Sequence, residues 1–60
     1  MNTFAFNLKD NVAITVSGET GIVIARAEYA ASENQYLVRY QSADGRGVEA
    51  WWGQTALSAA

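Results

Sequence analysis

Hydrophobic and polar residues alternate in short runs along this chain, and clusters of turn-forming residues interrupt them about every ten residues, a pattern of short β-strands. Helical periodicity is not sustained anywhere. Phe4, Phe6 and Leu8 alternate, Lys9-Asp10-Asn11 follows, and the run from Val12 to Val16 predicts a first strand with Val12, Ile14 and Val16 on one face. Ser17-Gly18-Glu19-Thr20-Gly21 has turn composition, with two glycines able to take positive φ. The β-branched run from Ile22 to Tyr29 predicts a second strand that bends. After a small and polar loop over residues 30–34, Gln35 to Gln41 predicts a third strand. Tyr36, Val38 and Tyr40 lie on one of its faces, and Leu37 and Arg39 on the other. Asp44-Gly45, inside the segment from Ala43 to Gly47, is a hairpin signal that brings Val48 to Trp52 back as a fourth strand. Gly53 to Leu57 predicts a tight turn that swings Leu57 over one open end, with Ser58-Ala59-Ala60 as a frayed tail.

The expected architecture is all-β: a small barrel or sandwich of four to five short antiparallel strands with a terminal tight turn, filling a single domain over residues 1–60. No internal repeat, low-complexity stretch or proline interrupts it. Trp51 and Trp52 are adjacent, so on a regular strand they point to opposite faces. Trp52 shares parity with Val48 and Ala50 and is expected inside. Trp51 shares parity with Glu49 and is expected outside. Core packing accounts for most of the aromatic set. The outward remainder, Tyr29, Arg39, Glu49 and Trp51, is the candidate interaction surface, because exposed aromatic patches mark protein interfaces.

Composition changes the picture chiefly by subtraction. With no cysteine and no histidine among 60 residues, disulfides, Cys/His zinc sites, thiol nucleophiles and imidazole bases are excluded. No cofactor or metal is expected, and no catalytic residue stands out. Asp44 and Glu49 form a conceivable carboxylate pair, but aspartate is already favoured in a turn by backbone hydrogen bonding. The glycines read as turn residues, since no helix follows a Gly-x-Gly to cradle a phosphate. Net charge is −2, and Lys9, Arg26 and Arg39 are scattered, which disfavours a nucleic-acid groove. Arg26 and Arg39 fall in adjacent strands and are expected to pair with Glu28, Glu49 or each other's neighbours on a solvated outer face. The longest apolar runs are far short of the roughly 20 residues that span a bilayer, and no secretory signal opens the chain, so a soluble cytoplasmic protein is expected.

The order of these signals resembles a known group. Leu8-Lys-Asp-Asn-Val12, Ser17-Gly-Glu-Thr-Gly21-Ile-Val23, Tyr36-Leu-Val-Arg-Tyr40, Val48 to Trp52 and Leu57 together look like the SH3-like small barrel of KOW, Tudor and type II dihydrofolate reductase domains. The Gly21-x-Val23-x-x-x-Ala27-Glu28-Tyr29 stretch and the Val48-Glu49-x-Trp51-Trp52 ending are also similar to short uncharacterised proteins of tailed bacteriophages and prophages. That likeness implies a phage origin and the host cytoplasm. In type II reductases a homotetramer lines one pore with a Val-Gln-Ile-Tyr segment. Val48, Glu49, Ala50 and Trp51 stand at the matching positions, and three of them differ. The basic residues that help that family hold its anionic ligands are replaced by Ala13, Ile14 and Thr15. The expected function is therefore a small non-catalytic protein-interaction module, whose partners are a second copy of itself and a host protein. The alternatives are a homo-oligomeric pore-forming ligand binder and a weak nucleic-acid binder. A barrel this small buries only about 60% of the surface of its unfolded chain, which favours self-association through strand four with Trp51 near the centre.

Overall fold

The computed structural model describes residues 4–42 and 44–60. Its strands are β1 (Asn11–Ile14), β2 (Thr20–Ala27), β3 (Gln35–Gln41), β4 (Gly47–Gly53) and β5 (Leu57–Ala59), and a 3-10 turn over Gln54–Ala56 joins the last two. All five form one antiparallel sheet in the order β4-β3-β2-β1-β5. The sheet is open: β4 and β5 end the ladder and do not pair with each other. Among the described residues no helix is long and apolar enough to cross a membrane.

β3 has the predicted bounds, and β4 extends the prediction by one residue at each end. β1 ends sooner. The Ile14 carbonyl accepts from both Ser17 N–H (3.2 Å) and Gly18 N–H (2.7 Å), and Gly18 takes φ +78°, so the chain turns before Val16 can join the strand. Val16 is accordingly 81% exposed instead of lying on the core face with Val12 and Ile14. β2 begins at Thr20 and stops at Ala27, short of Tyr29, and a bulge between Val23 and Ala25 supplies the expected bend. The tail is not frayed. Leu57 pairs with Ile14, Ser58 with Ala13 and Ala59 with Val12, making a strand where the sequence suggested loose ends.

Alternation then sorts the side chains. Val12, Ile14, Val23, Tyr36 and Val38 are fully buried on the inner face, Leu57 is nearly so, and Phe4, Phe6, Tyr40 and Trp52 pack against them. Phe4 and Phe6 meet Tyr36 edge-on, at centroid distances of 6.0 and 5.3 Å, so the segment before β1 lies across the inner face. Arg26 fastens that segment. Its guanidinium sits 4.4 Å from the Phe4 ring centroid, and Nη1 donates to Phe6 O (3.1 Å) and Asn7 Oδ1 (3.2 Å), not to Glu28 as the charge pattern suggested. At the far side Gln54 Oε1 accepts from the Tyr36 hydroxyl and from Ala5 N–H (3.2 Å), tying the start of the chain to the turn before β5.

Candidate functional site

The register of β2, β3 and β4 builds the outer face row by row. Ile22 is opposite Arg39, and Arg39 is opposite Glu49. One step along, Ala25 is opposite Leu37, and Leu37 is opposite Trp51. Cross-strand neighbours on one face touch, so these rows make a single surface with a charged and an apolar half. Trp51 is 49% exposed and Ile22 45%. Arg39 donates to Glu49 Oε2 through both Nε (2.9 Å) and Nη2 (2.7 Å). In an exposed pair this contributes at most about 1 kcal/mol, so its main effect is to hold the two side chains to each other across β3 and β4.

Arg39, Glu49 and Trp51, three of the four residues proposed from sequence, are thus contiguous. Tyr29 is not brought to them by the ladder: it lies in the β2–β3 connection, exposed, two residues beyond the end of β2. The two tryptophans divide as their parity requires. Trp52 faces inward opposite Tyr36, against the core, and its buried Nε1 has no hydrogen-bond partner among the described residues. Ile22 is the member of the surface that sequence reasoning did not single out. Its signal was present, since it has the opposite parity to Val23, and Val23 is buried.

Beside Arg39 the outer face sinks into an open depression of about 450 Å³, lined by Asn11, Thr20, Ile22, Arg39, Gln41 and Gly47. Its walls offer amide and guanidinium donors beside Ile22 and Tyr40. No group of three acidic, histidine or cysteine side chains able to hold a metal ion occurs among the described residues. Asp44 and Glu49 do not act as a pair. Asp44 Oδ1 accepts from the Ser42 hydroxyl and from Arg46 N–H (3.2 Å), whereas Glu49 is engaged by Arg39. Those bonds, the Ser42 hydroxyl first and the Arg46 N–H second, hold the exposed Asp44 carboxyl below its ordinary value. Asp44 is a turn residue. Sequence reasoning missed a further carboxylate, Glu33. It accepts from Thr55 N–H (2.7 Å) at the start of the 3-10 turn and occupies the space where a Gly53 side chain would be. Nothing local in the sequence links positions so far apart.

Compared with family models, curated proteins and solved structures, the chain matches none.

Proposed function

We propose that the chain is a small non-catalytic protein-interaction module that docks through the outer face of β2, β3 and β4. The observation that carries this reading is Trp51: a tryptophan half-exposed on a regular strand, opposite Leu37 and bordered by the Arg39–Glu49 pair. Tryptophan and arginine are enriched among residues that dominate interface energies. Leaving so large a ring in water gains nothing for the isolated fold. We infer with it that the five strands belong to a small SH3-like fold. A four-strand meander, a bulged β2, and a 3-10 turn that returns β5 to β1 support an SH3-like small barrel, a scaffold that commonly serves binding. A phage origin is part of this reading and rests on the sequence likeness alone.

A photoreactive residue at position 22, next to Trp51's surface, tests the proposal against the same residue at position 15, at the turn after β1. In host lysate, position 22 is expected to give a protein adduct that excess wild type competes away and excess Trp51→Glu does not. Equal adducts from both positions, or competition by Trp51→Glu as effective as by wild type, would remove the outer face from consideration.

A further inference from the structure

Of the two ends of the open sheet, β5 is a three-residue strand and β4 a seven-residue one, and the β3–β4 register runs through all seven pairs from Gln35↔Gly53 to Gln41↔Gly47 without a bulge. Proteins usually protect long edge strands with proline, lysine, bulges or a covering element. β4 has no proline and no basic residue, and its single charge, Glu49, is neutralised by Arg39. Two backbone bonds fix which groups face outward. Gln54 N–H donates to Asn34 O (2.9 Å) and Ser42 N–H donates to Arg46 O (2.8 Å), each continuing the β3–β4 register by one residue. Hydrogen-bonded pairs recur at every second residue of an antiparallel ladder. Val48, Ala50 and Trp52 therefore direct N–H and C=O to β3, while Gly47, Glu49, Trp51 and Gly53 direct theirs to the free edge.

Taking the β4 surface as a docking site for protein, as proposed above, we infer that its partner is a second copy of this chain. The two β4 strands pair antiparallel about a two-fold axis at Ala50 and join the two five-stranded sheets into one. The outward groups allow only registers that pair odd positions with odd. An axis at Glu49 sets that carboxylate against itself. An axis at Ala50 uses the whole strand, with Glu49 opposite Trp51 of the second copy and Gly47 opposite its Gly53. The ends then fit. Gly53 already has the Glu33 carboxylate where a side chain would stand, and Gly47, with open space around it, brings no side chain to collide with that carboxylate. On the outer face Trp51 of each copy covers the Glu49 row of the other, which accounts for its exposure in the single chain.

Three variants test the register. Sedimentation of wild type is expected to show a concentration-dependent dimer. Glu49→Pro deletes an N–H that β3 does not use, so it is expected to keep the β-type circular dichroism spectrum and to weaken the dimer at least tenfold. Ala50→Cys places the only two thiols about 4.5 Å apart between Cα atoms at the axis, within disulfide range, and should oxidise to a covalent dimer. Should Glu49→Pro fail to fold, charge at position 51 decides. Trp51→Lys, facing Glu49 of the second copy, is expected to retain the dimer, and Trp51→Glu to lose it. A wild type that stays monomeric at about 1 mM, where even weak complexes of this kind populate, overturns the inference and leaves the outer face to a foreign protein. A dimer that survives in a folded Glu49→Pro, or Ala50→Cys that does not cross-link, overturns the edge while leaving face docking intact.

Discussion

Gly21 shows how much one residue can hide. Its turn-like neighbourhood suggested a turn role, yet it lies inside β2, opposite Tyr40. A Cβ there would come within 2.5 Å of the Arg39 carbonyl oxygen and 2.8 Å of Val38 Cγ1. The first of these is backbone and cannot swing aside. Gly21→Ala is therefore expected to destabilise the domain by about 1–3 kcal/mol, as overpacking does, out of a total of only about 3–9 kcal/mol for a chain this size. Urea unfolding followed by tryptophan fluorescence measures it, and an unchanged midpoint would mean that β2 and β3 are less closely apposed. The tryptophans are the opposite case, legible from parity alone. Trp52→Ala should cost about 3 kcal/mol because the ring packs on the core, whereas Trp51→Ala should stay within about 0.5 kcal/mol in the monomer. A reversal of the two would show a strand slipped by one residue.

At the scale of elements, β3 and the β3–β4 hairpin were legible because alternation and a turn signal agreed. The connection runs from Ser42, whose carbonyl accepts Gly45 N–H at 2.9 Å, and Gly45 adopts φ +88°. A β-branched residue is strained there, so Gly45→Val is expected to lower stability by about 1–2 kcal/mol in the same unfolding assay. Asp44 adds a pH dependence to this turn. Its folded value lies below the ordinary 3.8, so its contribution is present above that ordinary value and disappears as pH falls through the folded one. Asp44→Asn should consequently be less stable than wild type at pH 7 and should converge with it in strong acid; parallel curves down to low pH would remove the carboxylate from the turn's stability. β5 was not legible. Leu57-Ser58-Ala59 is too short and too small for periodicity to register, and its strand character comes from lying beside β1.

Over the whole molecule, an open sheet this small leaves part of its inner face uncovered, and the chain closes it with its own beginning. The alternation of Phe4 and Phe6 was visible in sequence, but their destination was not, because nothing nearby announces that they return across Tyr36, some thirty positions later by the numbering. The fastening is polar and comes from two remote elements: Arg26 on β2, and the Tyr36–Gln54 pair, in which the tyrosine hydroxyl also accepts Ala5 N–H at 3.0 Å. Phe6→Ala should then act as a partial core deletion, costing about 1–2 kcal/mol, or a fall in Tm of about 5–15 °C at this chain length. Arg26→Ala should cost less, under about 1 kcal/mol, since its contacts are exposed, but it should free the same segment. The discriminating readout is amide exchange. In Arg26→Ala, protection is expected to fall at Ala5, whose N–H is bonded only when the segment is docked, while Val38 in the centre of β3 keeps its protection. Uniform loss at both would indicate that the segment does not open separately and that β2, not the N-terminal strap, depends on Arg26.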